Sequence, residues 1–236
     1  MRRAVVTMVA TGLFVVGVLG ATVVPAAAAS SDQSVAKAGV LVGSDFPADW
    51  TQSTRGQTSD KTLDAAAAKV AACKPFLAFS RANKKNPRAK SPNFDLQNAN
   101  VTNSVSVFPS QAKATAAMHT FADRRLPACL DALFRSVFTQ QLKKTSSLAG
   151  QLKSVDTSIA PVTDVRIGDQ AVAYQGTVDV AFKDGTSQSV GLGIVSVRVG
   201  KAVSGYSWTS DTDISAALQP AIVQSVTRLH DAQSAG

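Results

Sequence analysis

Glutamate is absent from the chain, and histidine and cysteine each occur only twice. Two histidines, His119 and His230, are too few for the ligand set of an ordinary zinc site. The spaced oxygen ligands and closing glutamate of a calcium loop are also missing, so Asp211-Thr212-Asp213 is interpreted as a helix cap. The sequence therefore predicts neither a metal site nor a cofactor.

The usual signatures of catalysis are missing as well. The sequence has no Gly-x-Ser-x-Gly turn, no Cys-x-x-Cys pair, and no pattern that places His119 or His230 beside a particular serine and aspartate. Gly191-Leu192-Gly193 lies inside a predicted strand, whereas a phosphate-binding loop needs a strand-to-helix turn. We therefore predict no catalytic residue and no enzymatic activity. A secreted hydrolase with an unrecognised site is the alternative.

The first segment that is present is an export signal. Met1-Arg2-Arg3 is positive, the run 4–24 is apolar, and Ala27-Ala28-Ala29 offers a small-residue cleavage site. These features predict a signal peptide at 1–29 and a single secreted domain at 30–236, located outside the cell at a bacterial envelope. A retained membrane anchor is the alternative, since the apolar run is long enough to span a bilayer.

Cys73 and Cys129 are an even pair in a chain predicted to be exported. An oxidising compartment favours a disulfide between them. The bond would link a first helical segment to the start of the most amphipathic helix. The sequence therefore predicts a structural disulfide.

The clearest strand pattern lies in the last third of the chain. One predicted strand has a face made of Val172, Tyr174, Gly176, Val178, Val180 and Phe182. A three-residue loop, 183–185, pairs Val178 with Val190 and Tyr174 with Ile194, and places Gly185 at the left-handed position of a G1 bulge. Any slip by one residue would turn the apolar side chains to the wrong face, so the pattern predicts this register.

The next strand changes the parity of its apolar positions near Ile194. Either a bulge lies there, or the strand is central and covered on both faces. A turn at Gly200-Lys201 then leads to a third strand, in which Tyr206 faces Val195 and Trp208 lies opposite Gly193.

Helical spacing marks several further segments. They are 63–72, 110–125, 130–142 and 214–230. Together the patterns predict an α+β fold: a twisted antiparallel sheet of about five to six strands, with helices packed mainly on one face.

Two groups of residues are candidates for binding. The basic group is Arg81, Lys84, Lys85, Arg88 and Lys90, in a stretch without acids. It is interpreted either as a contact for an anionic polymer or lipid head group of the envelope or as a solvated loop. Nucleic acid is excluded as a partner, because the protein is exported and no aromatics interleave the cations. The aromatic group is Trp50, Tyr206 and Trp208, which either line a ligand cleft or close the end of a core.

The order of several motifs resembles a known family. The motifs are Asp45-Phe46-Pro47-x-x-Trp50, Cys73, Pro127-Ala128-Cys129-Leu130 and Ile167-Gly168-Asp169. They are similar to actinobacterial secreted domains related to the extracellular sensor domain of PknH-type receptor kinases. The resemblance implies a twisted antiparallel sheet with packed helices and a ligand cleft. This sequence lacks the second disulfide, the transmembrane helix and the kinase of those receptors.

The leading hypothesis is therefore a secreted, non-catalytic binding or sensor-like module that takes a small or lipid-like ligand. A deep apolar cavity would favour it, and a filled core with a clustered positive face would favour an envelope-interaction protein instead.

Overall fold

The structure is a computed structural model that describes residues 26–53, 60–145, 148 and 150–235. The predicted signal segment lies outside these residues up to position 25. The helices are α1 (Ala26–Ala38), α2 (Asp60–Ala67), α3 (Lys74–Ala82), α4 (Gln111–Phe121), α5 (Leu126–Lys144) and α6 (Ser215–Ser234), with short 3₁₀ turns at Gly43–Asp45 and Ala71–Cys73. The strands are β1 (Thr51–Ser53), β2 (Arg88–Lys90), β3 (Asn93–Leu96), β4 (Ala99–Val107), β5 (Leu152–Val162), β6 (Gln170–Phe182), β7 (Ser187–Val199) and β8 (Ala202–Ser210).

The strands form one antiparallel sheet, which confirms the predicted α+β class. Their order is β1-β3-β4-β8-β7-β6-β5, and β2 pairs with the outer edge of β4. The described part of the chain has eight strands, more than the five to six predicted. The excess comes from β1, β2 and β3, which are three or four residues long. Strands this short do not show a period of two in the sequence.

The predicted hairpin register is confirmed. Tyr174 pairs with Ile194 and Val178 pairs with Val190 across β6 and β7. Gly185 has a φ of 85° and donates its N–H to the Phe182 carbonyl at 3.1 Å. The alternation of apolar side chains and the left-handed glycine therefore select the same loop.

Strand β7 is central and covered on both faces, which explains its change of parity. No register shift occurs between β7 and either neighbour. Ser196 and Val178 belong to the face that we call the front face, and Val195 and Tyr206 belong to the back face. Helices α2 to α5 cover the front face, as predicted for most helices, while α1 and α6 cover the back face.

An ion pair between a half-buried arginine and a buried aspartate holds the back layer together. The guanidinium of Arg228 in α6 contacts both carboxylate oxygens of Asp45, at 2.6 and 2.8 Å, and donates to the carbonyls of Ala38 and Val40. Asp45 also accepts the N–H of Val42. A buried carboxylate requires such partners because desolvation of an unpaired charge is costly. The first aspartate of the Asp-Phe-Pro turn thus holds the N-terminal segment against α6.

The Ile167-Gly168-Asp169 entry to β6 is structural. Gly168 has a φ of 64°, and an added Cβ would lie 2.6 Å from the Arg198 carbonyl oxygen. Its neighbour Asp169 accepts the Gly200 N–H at 2.7 Å and a guanidinium N–H of Arg198 at 3.0 Å. The carboxylate therefore fixes the predicted Gly200-Lys201 turn.

Replacing this glycine tests the role of the entry segment. Gly168→Ala is expected to lower the free energy of unfolding by about 2 kcal/mol, from left-handed strain and the close approach to β7. Urea unfolding monitored by circular dichroism measures the loss. Gly150→Ala is the matched control, because nothing lies within 4 Å of its added Cβ. Equal stability of the two variants would contradict the assignment.

Candidate functional site

The helices above the front face are joined by the predicted disulfide, which the structure contains. Cys73 ends the 3₁₀ turn before α3, and Cys129 lies in the first turns of α5, with Cα atoms 4.8 Å apart. Both side chains are buried. The bond fixes the spacing of α3 and α5, and both cysteines line the cavity described next.

A cavity of about 200 Å³, partly open to solvent, lies between the front face and helices α2, α3 and α5. Its helical side is mainly apolar. The apolar side chains on this side include Leu63, Phe76, Leu77, Phe79, Leu126, Leu130 and Leu133. Mostly apolar concave sites with a few polar groups are the usual form of small-molecule sites.

The cavity exists because the floor of the sheet is made of small residues. Adjacent strands β4, β8 and β7 place Ser104, Gly205 and Ser196 side by side on the front face. The nearest atom that a Cβ on Gly205 would meet is the Ser104 Oγ, 4.0 Å away. Side chains this small cannot reach the helices, so a space remains above them.

Aromatic rings form one side of the cavity. Phe79 of α3 lies between Phe108 and Phe121, at centroid distances of 6.2 and 5.6 Å, the second in an edge-to-face arrangement. Tyr174 of β6 also lines the space, and its hydroxyl donates to the Phe121 carbonyl at 2.7 Å. This hydrogen bond ties the end of α4 to the sheet.

One buried hydroxyl in the wall lacks a partner. Ser80 of α3 is about 9% exposed, and its Oγ makes no hydrogen bond within the described part of the chain. A helical serine commonly bonds back to the carbonyl four residues earlier. An unsatisfied buried hydroxyl costs free energy, so a ligand that bonds to it would recover that cost.

Among the described residues, the charged side chains of the wall are Asp64 and Arg88. Asp64 is ion-paired with Lys84, whose Nζ lies 3.5 Å from its carboxylate. Arg88 donates from Nη2 to the Asn83 carbonyl at 2.7 Å, which holds its guanidinium at the C-terminal end of α3. Both of these side chains are therefore engaged by neighbouring groups of the protein.

The predicted basic group divides between two elements and a short connection. Arg81 lies in α3, Lys84 and Lys85 follow it, and Arg88 and Lys90 belong to β2. The prediction of a single loop is therefore wrong in part, because residues 88–90 form a strand that pairs with β4. Arg81, Lys85 and Lys90 are exposed, whereas Lys84 and Arg88 are half-buried. Of the five, Arg88 lines the cavity.

The predicted aromatic group lies in the back layer. Trp50 stacks on Phe46 at a centroid distance of 4.8 Å. The Tyr206 ring is fully buried there and its hydroxyl shares a 2.8 Å hydrogen bond with Ser225. Trp208 packs over Gly193, whose added Cβ would lie 2.0 Å from the indole. Trp50 and Trp208 do not line the cavity. Tyr206 borders the cavity because it belongs to β8, but its ring packs in the core on the back face.

Sequence reasoning missed the residues that form the floor of the cavity. Ser104 and Gly205 lie 101 positions apart and give no local signal. The one available signal was the number of small residues on strands predicted to be central, where large apolar side chains are usual.

The other candidates for chemistry stay outside the cavity. His119 and His230 are exposed on α4 and α6. Asp213 accepts the N–H and hydroxyl of Ser215, and these hydrogen bonds lower the pKa of its carboxyl, consistent with the predicted cap. Within the described residues no group of histidine, cysteine and acidic side chains could hold a metal ion. None of the helices described has the length and apolar character needed to cross a membrane.

Comparison with known proteins gives limited likenesses. No family model and no curated protein matches the chain. It is similar to the crystal structure of the extracellular domain of PknH from Mycobacterium tuberculosis, with 16% identity and a TM-score of 0.36, over 59% of this chain and 63% of that one. It is also similar to the Saccharomyces cerevisiae Ran-binding protein Mog1p, with 13% identity and a TM-score of 0.16, over 57% and 64%. The chain spans less than two thirds of each, and neither likeness bears on what it binds.

Reduction of the disulfide tests its contribution. A closed loop across the sequence separation of 56 residues is expected to stabilise the protein by about 4 kcal/mol through the entropy of the unfolded chain. Urea unfolding of the wild-type protein, with and without a phosphine reductant, should show a large fall in the midpoint. An unchanged midpoint after complete reduction would contradict this contribution.

The two tyrosines of the chain provide a pH test. Burial raises the pKa of Tyr174, with a further rise from the Asp123 charge, and burial also raises the pKa of Tyr206. Since the folded protein holds these phenol protons more tightly, the stability that they contribute is complete below the unfolded pKa of about 10 and is lost as the pH rises through the folded values. Absorbance at 295 nm should therefore show phenolate appearing above pH 10 together with unfolding. Titration near pH 10 in a protein that stays folded would contradict the burial of both rings.

Proposed function

We propose that this chain is a secreted, non-catalytic binding or sensor-like module of a bacterial envelope that takes a small, largely apolar ligand in the front-face cavity. The observation that carries the proposal is the cavity itself: an apolar roof, a floor of small residues, and a few polar groups at one side. Export is supported by the pattern of residues 1–29 and by the disulfide, which is typical of oxidising compartments.

The positions of the two histidines favour a binding function over hydrolysis. A serine nucleophile would need a histidine within hydrogen-bond reach, and both histidines lie on exposed helix surfaces away from the cavity. A protein that acted through its basic surface alone would have no need of a space inside its front layer. The cavity therefore favours the binding hypothesis over both alternatives.

The size of the cavity sets the expected ligand and its affinity. A cavity of roughly 150 Å³ holds benzene, so about 200 Å³ corresponds by proportion to roughly eight carbon atoms. Burying eight methylene groups gains about 6 kcal/mol before the cost of association. Dissociation constants between millimolar and micromolar are therefore expected, a range that NMR titration measures well.

Filling the cavity tests the proposal. Gly205→Val places two methyl groups in the empty space above the floor, and no close atom opposes its Cβ. Valine also suits a central strand better than glycine, so stability is expected to stay equal or rise by up to about 1 kcal/mol. Toluene, 1-octanol and octanoate are titrated into ¹⁵N-labelled protein. Saturable shifts at front-face amides are expected in the wild type and their loss in the variant.

Gly150→Val is the matched control, because it adds the same side chain at an exposed turn with open space around it. It should bind the three probes as the wild type does. The proposal is overturned if none of the probes gives saturable shifts, or if Gly205→Val keeps the wild-type affinities.

A further inference from the structure

We infer that the ligand of the cavity is an uncharged amphiphile with a hydroxyl group, and that this hydroxyl lies above Gly205, between Ser104 and Ser196. The apolar body of the ligand then lies under the helices. This inference rests on the proposed function, and it adds the chemical class of the ligand and the polar residues that recognise it. Three features support it: the position of the two serines, their open hydrogen-bonding capacity, and the engagement of the charged wall residues by other groups.

The two serines flank a glycine on the floor of the cavity. The registers of β4, β8 and β7 place Ser104 and Ser196 on either side of Gly205, all on the front face. Neighbouring strands are about 4.8 Å apart, so each serine is one strand away from the glycine. The Ser104 Oγ lies 4.0 Å from the position of a Cβ added to Gly205. A ligand atom that rests above the glycine therefore has a serine on each side.

The hydroxyls of these serines have open hydrogen-bonding capacity. Ser196 is about 7% exposed and lines the cavity, and its hydroxyl makes no hydrogen bond within the described chain. Ser104 is half-buried in the same lining, and its hydroxyl likewise has no partner among the described residues. Buried hydroxyls are normally hydrogen-bonded, so a side chain that is more than nine-tenths buried and unmatched indicates a partner that enters the cavity.

A hydroxyl is the group that matches this pair of serines. Each serine hydroxyl can donate and accept, and a ligand hydroxyl can do the same, so it can accept from one serine and donate to the other. Without such partners, a hydroxyl that left water for the cavity would lose its hydrogen bonds, which disfavours binding. The helical side, with Phe76, Leu130 and Leu133, accepts the apolar body.

The charged side chains of the wall favour an uncharged ligand. Asp64 is ion-paired with Lys84, and Arg88 donates to the Asn83 carbonyl. An ion that entered the cavity would give up its hydration and would have to compete with these protein groups for a counter-charge. The cost of desolvating a neutral hydroxyl is much smaller, and the two serines offset it.

The experiment compares ligands of nearly equal size that differ in the polar group. Ethylbenzene, 2-phenylethanol, 2-phenylethylammonium and phenylacetate share a phenyl ring and a two-carbon substituent. They are titrated by NMR into the ¹⁵N-labelled wild-type protein at fixed salt. The alcohol is expected to bind within about fivefold of ethylbenzene, because the serines replace its hydrogen bonds to water. Both ions are expected to bind more weakly than the alcohol.

Variants then assign the effect to the two serines. Ser104→Ala and Ser196→Ala should each weaken 2-phenylethanol about fivefold and leave the affinity for ethylbenzene unchanged. This difference between the ligands separates a lost hydrogen bond from a change in cavity shape. Ser189→Ala is the matched control, since Ser189 is exposed on the same strand as Ser196 and lies outside the cavity lining, and it should bind both ligands as the wild type does. If Ser196→Ala does not fold, Ser104→Ala decides by the same criterion.

Three results would overturn the inference while the proposed function stands. The first is binding of 2-phenylethanol more than fivefold weaker than that of ethylbenzene. The second is binding of either ion as tightly as the alcohol. The third is a serine variant set that keeps the wild-type affinity for the alcohol or loses both ligands equally. Failure of all four probes to bind would instead remove the proposed function and the inference together.

Discussion

The front half of the structure depends on one constraint: the helical layer stays at a distance from a sheet floor that is made of small side chains. Ser104, Ser196 and Gly205 lie next to one another at the centre of the sheet, where branched apolar residues would normally fill the core. The disulfide joins the helical segments above them and fixes their spacing. A space remains because neither layer can close on the other without breaking that arrangement.

The two faces of the sheet differ in how completely their buried polar groups are hydrogen-bonded. On the back face, Asn103 bonds to the backbone of Gly39 and Leu41, and Ser225 bonds to the same Gly39 carbonyl, so the polar groups there are matched among themselves. On the front face the Ser80 hydroxyl is left without a partner in the described chain. A satisfied buried network rigidifies a core, whereas an unsatisfied buried hydroxyl can still accept or donate a hydrogen bond to a water or another group that enters the cavity.

Local patterns in the sequence predict the parts of this fold that local physics decides. The β6–β7 register followed from alternation and from one left-handed glycine, and the disulfide followed from an even pair of cysteines in a chain with a predicted export signal. The floor of the cavity did not follow, because it needs β4 beside β8, a pairing of residues about a hundred positions apart. Aromatics at strand ends suit either a ligand cleft or the end of a core, so the sequence left both interpretations open for Trp50 and Trp208. In the structure Trp50 stacks on Phe46 and Trp208 packs over Gly193 in the back layer, an arrangement that favours core closure.

The outermost strand, β5, has a consequence for how the molecule behaves at high concentration. An eleven-residue edge strand exposes a row of main-chain groups to which another polypeptide can add. Here the strand carries Lys153 near its start and Pro161 near its end, and proline has no N–H to offer to an incoming strand. At the opposite end of the sheet β1 is only three residues long. Both margins of the described sheet therefore discourage edge-to-edge aggregation.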